Sequence, residues 1–242
     1  MLFMVAGALP FVLLVRAARG EPGSLHRDPQ VRAFVVFLAV VCFGVVVWLA
    51  LASDLSFATA LRLVTFNVVS IATTTGFASA DYTQWGTFAV GLFFSLMLVG
   101  GCTGSTTGAI KVYRFMILGQ VIRRQVRHLS NPSRVERMHY GDKRLPEDVP
   151  PSVLAFLTLY GSTVTVVMLV LAAMGLDLVT ALSSATSAVG NVGPGLGEIV
   201  GPAGNFAPLP DAAKVVLAAA MILGRLELLT VFVLCDPQFW RW

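Results

Sequence analysis

Three stretches of the chain, Ala33–Ala52, Val153–Met174 and Ala212–Leu234, are apolar over lengths that cross a hydrocarbon core of about 30 Å. A fourth, Thr87 to Val121, is longer but interrupted, and a short one, Met1–Val15, opens the chain. Backbone placed in lipid has to satisfy its N–H and C=O groups within the protein, so each run is restricted to helix. Composition agrees: of 242 residues, 56 % are hydrophobic and only 12 % charged. The mean hydropathy is +0.80. No water-soluble domain of this length is expected to combine those values. The expected fold class is an all-α polytopic membrane protein.

The distribution of Lys and Arg orients the helices. Arg16, Arg19, Arg27 and Arg32 fall in one short loop, and nine basic residues lie between Lys111 and Arg144. Both segments are therefore expected on the cytoplasmic side. Met1–Val15 has no basic residue ahead of its apolar stretch and two arginines after it, so it reads as the tail of a spanning helix rather than as a signal peptide. Cys42, Cys102 and Cys235 sit in or beside apolar segments and offer neither a disulfide framework nor metal-ligand spacing. The basic segment lacks aromatic interleaving and adjoins membrane helices, which argues against a nucleic-acid partner. His26, His128 and His139 fall in the cytoplasmic loops without ligand spacing.

With both positive loops on one side, Ser56–Ala72 cannot be a full span between Ala33–Ala52 and the run that starts at Thr87. It has to enter and leave by the same face, as a re-entrant half-helix followed by an extended return. The layout recurs downstream: Val153–Met174 goes out, Asp177–Val189 is short and rich in Ser, Thr and Ala, "GNVGPGLG" follows, and Ala212–Leu234 comes back. Setting Gly76 over Gly193 aligns "VVSIATTTGF" with "ATSAVGNVGP", and setting "MLVGG" over "MILGR" puts Gly101 over Arg225. Glycine at 76 and 193 allows backbone angles that side chains forbid. Successive carbonyls could then point inward and replace the water shell of a monovalent cation. The alternative is that "TTTGFAS" and "NVGPGLG" are ordinary outer turns. Asn67, Ser70, Ser184 and Ser187, on the two half-helices, are candidates to support these segments by hydrogen bonds.

Within the interrupted run, the nine residues Gly100 to Gly108 are all Gly, Ser, Thr or Cys. Such a stretch can unwind without a bulky plug, and its hydroxyls can satisfy the freed backbone. The alternative is close helix packing through small residues. A phosphate cradle is a poor match, because "GSTTGAIK" lacks the Gly-Lys-Ser/Thr ending. Arg225 is an unusual charge inside the last apolar run and should face a pore or a partner; a pair with Glu227 is disfavoured, since residues two apart on a helix do not face each other. Clustered acids, histidines or an activated nucleophile are missing from the apolar runs, so no enzyme, no catalytic residue and no organic cofactor are expected.

The blocks "VVSIATTTGFASADYTQW", "LMLVGGCTGSTTGAIKVYR" and "GNVGPGLGEIVGPAGNFAPLPDAAKVVLAAAMILGRLELLTVFVL" together resemble the Trk-type potassium uptake family, the TrkH/KtrB membrane subunits. The resemblance implies membrane–pore–membrane repeats around a K+ pathway in a bacterial inner membrane. It implies a third filter segment at Thr74, Thr75, Gly76, Phe77 and Ala78, and a fourth at Asn191, Val192, Gly193, Pro194 and Gly195. It also implies that Gly100–Gly108, including Gly101, Gly104, Ser105, Thr106 and Thr107, is an intramembrane gating loop, with Arg225 below the filter as an electrostatic barrier and Lys111 at the loop's cytoplasmic border. Ala78 and Pro194 depart from the strict filter of potassium channels, so selectivity over sodium is not assumed. Membrane lipid, a second copy of the chain and a cytosolic nucleotide-binding subunit of the TrkA/KtrA kind are the implied partners. Residues 1–31 would end a preceding repeat, 32–150 form one repeat and 151–242 the last. Two repeats of four also suggest a truncated product, or a part needing an N-terminal half before it conducts.

Overall fold

In the computed structural model, residues 1–53, 55–131, 138–141, 143–226, 228–234 and 239–241 are described. Two long helices organise the fold. The first, α4 (Pro29–Ala52), is 24 residues and the second, α8 (Val149–Ala173), is 25; both are long and apolar enough to cross a membrane. At a rise of 1.5 Å per residue either spans about 36 Å. Their starts are written locally. The Asp28 carboxylate accepts from the N–H groups of Gln30 and Val31, at 2.8 and 3.2 Å, with Pro29 at the first helical position. Pro150 occupies the first turn of α8.

Each long helix is followed by a short one. After α4 comes α5 (Phe57–Ala72), whose first turn is capped by the Ser56 hydroxyl, and after α8 comes α9 (Leu178–Gly190), capped by Asp177 at 3.0 Å from the Thr180 N–H. Spans of 16 and 13 residues come to about 24 and 20 Å, short of the hydrocarbon thickness. Both short helices bury their C-terminal halves: Asn67 to Ala72 in one and Ser183 to Gly190 in the other. α6 (Thr87–Met97) packs on α5, and α10 (Asp211–Arg225) packs on α9, so two similar three-helix units result. One core gathers Phe34, Val46, Val64, Ile71, Phe93 and Met97 around α4, α5 and α6, with the Tyr82 ring stacked on Phe93 at 3.8 Å. The other gathers Tyr160, Leu171, Ala185, Val189, Leu217 and Ala220 around α8, α9 and α10. Outward faces stay apolar: Val36, Phe43, Leu51, Val166 and Leu169 are exposed, as a lipid-facing surface requires. Helix α7 (Val112–Ser130) and a two-residue hairpin, β1 (His139–Tyr140) with β2 (Lys143–Arg144), join the units.

Three sequence expectations need correction. Met1–Val15 is not one helix tail: α1 (Leu2–Ala8) and α2 (Phe11–Ala18) are separated at Leu9 and Pro10, because proline lacks an N–H and its ring clashes with the preceding turn. Ala212–Leu234 is not one continuous helix either. α10 stops at Arg225 and α11 (Leu228–Leu234) begins beyond a break, with Glu227 outside the described residues. Arg225 therefore closes a helix instead of lying inside one. Finally, the interruption after α6 runs from Leu98 to Lys111, wider than Gly100–Gly108 at both ends. Replacing the α4 cap, Asp28→Ala, should cost about 1 kcal/mol. It should lower the midpoint of thermal unfolding in detergent, and Asp28→Asn should restore most of the loss.

Candidate functional site

The segments that leave α5 and α9 start alike. Thr74, the second residue past the end of α5, and Asn191, the first past the end of α9, both adopt φ of +51°, a left-handed conformation uncommon outside glycine. Two residues later Gly76 has φ +82° and Gly193 φ +124°, where any side chain would be strained. The segments meet at these glycines: a Cβ built on Gly76 would lie 2.4 Å from the Val192 carbonyl oxygen, and one on Gly193 would lie 3.2 Å from the Gly76 Cα. Pro194 closes the same contact, its Cδ 3.2 Å from that Gly76 position, while Phe77 is exposed. The structure thus brings residues 74–77 and 191–194 side by side, each at the carbonyl end of a short helix, where the helix dipole is negative. A cleft of about 420 Å³ opens beside them, lined in part by Thr74, Thr75, Asn191, Gly193, Lys214 and Met221.

Each short helix holds its own segment. The N–H groups of Thr75 and Gly76 donate to the Ser70 carbonyl at 2.8 and 3.3 Å, and Gly193 N–H donates to the Ser187 hydroxyl at 3.1 Å. The buried Asn67 amide donates to the Leu63 carbonyl and the Ser79 hydroxyl and accepts from Ser79 N–H at 3.0 Å, so it pins the return strand. The Ser70 and Ser184 hydroxyls do not bond the segments; neither has a hydrogen-bond partner among the described residues. Ser183 does what was expected of Ser184, donating to the Leu196 carbonyl at 2.9 Å and accepting from its N–H at 2.8 Å.

Against these segments lies the loop. Its base is tied by Gly100 N–H to the Ile110 carbonyl at 2.8 Å and Ile110 N–H to the Leu98 carbonyl at 3.1 Å, a single parallel bridge between Val99 and Ile110. Of the nine N–H groups from Gly100 to Gly108, seven have an acceptor within the protein. Two acceptors are the loop's own carbonyls, Ile110 as above and Cys102, which takes Ser105 N–H at 3.2 Å; the other five acceptors come from four places. Thr107 Oγ1 takes Gly101 N–H, Gln30 Oε1 takes Thr103 N–H at 2.8 Å, and Thr74 Oγ1 takes Gly108 N–H at 3.0 Å. The remaining site is the break between α1 and α2. Proline leaves the Gly7 and Ala8 carbonyls without their usual helical donors, and the loop supplies them: Thr106 N–H to Gly7 at 3.1 Å and Cys102 N–H to Ala8 at 2.9 Å. Phe11 N–H, freed by the same break, donates to the Gly104 carbonyl at 3.0 Å. Small residues are needed for fit: a Cβ on Gly108 would stand 2.0 Å from the Gly190 carbonyl oxygen, and one on Gly101 would stand 2.6 Å from that of Ala8.

Cationic side chains gather on the loop's other side. Arg225 donates from an Nη to the Thr106 carbonyl at 2.7 Å. The Lys111 ammonium donates to the Thr107 carbonyl, and to its hydroxyl at 2.9 Å. A cavity of about 260 Å³ is lined by these two together with Thr106, Arg114, Phe156 and Tyr160, among others. Arg114 lies over the Phe156 ring, 3.5 Å from its centroid. The sequence reading missed Gln30, Arg114 and the Pro10 break. Arg114 follows Lys111 by about one helical turn, and a proline inside an apolar run was a visible signal for the break; nothing in the local sequence around Gln30 pointed to Thr103.

Comparison with known proteins finds relatives over nearly the whole chain. A family model described as TrkH, cation transport protein, matches residues 1–241. The chain is similar to the Trk system potassium uptake protein TrkI of Halomonas elongata, with 50 % identity over 99 % of this chain and 49 % of that protein. It is similar to the Trk system potassium uptake protein TrkG of Escherichia coli, with 36 % identity over 73 % of this chain and 36 % of that protein. The crystal structure of the potassium transporter TrkH from Vibrio parahaemolyticus superposes with a TM-score of 0.92 at 34 % identity, covering 99 % of this chain and 52 % of that one. The chain spans about half the length of the curated relatives it matches most extensively.

Gly108→Ala should expel the loop. The amides of Phe11, Cys102 and Thr106 should then exchange with deuterium at least about tenfold faster, while those in the middle of α4 stay unchanged.

Proposed function

The chain belongs to the TrkH family of membrane-embedded cation transport proteins, and on that premise we propose that it takes part in potassium uptake across a bacterial inner membrane. In this reading α4–α5–α6 and α8–α9–α10 are two membrane–pore–membrane repeats, and the carbonyls of Thr74, Thr75, Gly76 and Phe77 and of Asn191, Val192, Gly193 and Pro194 stand in for the water shell of a passing K+. The observation that carries it is the contact of Gly76 with Val192 and Gly193, which sets two left-handed segments against each other at the negative ends of two short helices. Potassium is the cargo; the chain's own groups supply its coordination.

The loop from Gly100 to Gly108 is the gate. It lies directly against the filter, since Gly108 touches both Thr74 and Gly190. Arg225 and Lys111 hold it by its Thr106 and Thr107 carbonyls and place positive charge on the route. A fixed charge in a medium of low dielectric raises the cost of a passing cation far more than it would in water. Opening requires the loop to leave both its filter contact and these cations. Domain boundaries at 32–150 and 151–242 follow from the same repeat reading. Pairing with a second copy, contact with lipid, and control by a cytosolic TrkA-type subunit on the basic face of α7 and the hairpin complete the proposal.

A second reading is favoured by one fact: the chain covers 49 % of the length of its Halomonas relatives. Here these residues supply two filter segments and the gate, and conduction needs further repeats. Rubidium uptake in cells lacking other potassium systems tests both. Gly76→Ser or Gly193→Ser should reduce uptake by at least about tenfold, since a clash worth only 1.4 kcal/mol in the conducting state has that effect. Arg225→Gln should increase flux under resting conditions. Uptake that appears only when the missing repeats are co-expressed would select the second reading.

A further inference from the structure

The two left-handed residues at the filter entrances do more than turn the chain. Thr74 and Asn191 occupy equivalent places, each the second residue ahead of its segment's glycine. Each extends its side chain to the backbone of the inner element of its own repeat. Asn191 Nδ2 donates to the carbonyl of Met221, on α10, at 3.1 Å. Thr74 Oγ1 accepts from Gly108 N–H at 3.0 Å. The difference lies in what is gripped. In the last repeat the partner is a continuous stretch of helix. In the preceding one it is the unwound loop.

A third non-glycine residue with positive φ, Ala109 at +52°, sits next to Gly108. These are the non-glycine residues with positive φ among the described residues, and they meet at one spot: the loop's end, the third segment's start and the fourth segment's start. A left-handed conformation at a β-branched residue is costly and persists where its surroundings hold it. For Thr74 the surroundings include Gly108. That bond is lost whenever the loop moves away.

We propose that the Thr74 side chain is a clamp between gate and filter: its hydroxyl stabilises the closed loop through Gly108 N–H, and departure of the loop releases the third filter segment, so that ion selectivity differs between closed and open states. The inference rests on the reading of 74–77 as filter and 100–108 as gate, and it adds to Thr74 a function of its side chain. Thr74 is a positioning residue in this respect. The donor's place is fixed by fit, since a Cβ on Gly108 would stand 2.0 Å from the Gly190 carbonyl oxygen.

Thr74→Val is the informative change, because it keeps the shape, the β-branching and the backbone strain and removes only the acceptor. The protein should be expressed from its native locus, so that the chain the cells make is the one assayed, then purified and reconstituted in liposomes. Loss of one hydrogen bond that leaves a partly buried N–H without a partner should raise resting rubidium flux by about 5- to 20-fold. The sodium-to-rubidium flux ratio should rise with it, and amide exchange over 100–110 should quicken. Thr74→Ser, which restores the hydroxyl, should bring all three back toward the native values. If Thr74→Val matches the native protein in flux, ratio and exchange while Gly76→Ser still abolishes uptake, the clamp is wrong and the filter reading stands. If Gly76→Ser is also without effect, the filter reading has failed and takes the clamp with it. Should the valine variant not fold, exchange in the native protein decides: a Gly108 amide protected like that of Gly100 supports the clamp, and one that exchanges as freely as an unstructured peptide overturns it.

Discussion

Everything near the site depends on how an unwound backbone finds hydrogen-bond partners away from water. Each orphaned N–H or C=O buried away from water costs several kcal/mol, so a non-helical stretch of fourteen residues, 98–111, packed between the two units has to find most of its partners within the protein. The solution is reciprocal. Pro10 interrupts the α1–α2 pair and strands the carbonyls of Gly7 and Ala8 together with the N–H of Phe11. The loop, itself stranded, meets all three. Two defects that would each be prohibitive alone satisfy one another. Gln30, buried near the start of α4, takes the Thr103 N–H and Thr74 takes that of Gly108, while Cys102, Thr107 and Ile110 of the loop itself take those of Ser105, Gly101 and Gly100.

This sharing explains why strain and charge concentrate at one place. Left-handed Thr74, Ala109 and Asn191, the squeezed Gly108, and the cations Arg225 and Lys111 all lie within the small volume where the loop passes between the two repeats. None of these is a low-energy choice by itself. They are tolerated because the flanking units are conventional: long apolar helices with good caps, and two cores with Phe34, Ile71, Phe93 and Leu171 fully buried. The scaffold is stable by ordinary packing, and the strain is kept to the part that moves in the proposed mechanism.

Much of this was legible in the amino-acid order, and the reasons are instructive. α4 and α8 follow from hydropathy and length alone, the short α5 follows from the requirement that basic loops share one side, and α9 follows from the repeat of that layout. Gly76, Gly193 and the run Gly100–Gly108 stood out because only glycine and small residues serve where backbones touch. What escaped was long-range or a matter of one residue's phase. Ser183 and Ser184 are indistinguishable in sequence, yet a step of about 100° around α9 decides which one reaches Leu196. A contact between Gln30 and Thr103, 73 positions apart, leaves no local trace. Arg225 read as an interior charge because the apolar letters continue past it, whereas the helix ends there.

The bridge at the loop's base has one more implication. Because Val99 and Ile110 are paired and Val112 N–H bonds the Gly101 carbonyl, the ends of α6 and α7 are fastened to each other independently of the excursion between them. The excursion can swing without lengthening, tilting or rotating either helix. In the proposed gating mechanism the loop is a flap hinged on this bridged base, and the two helices that carry it keep their places.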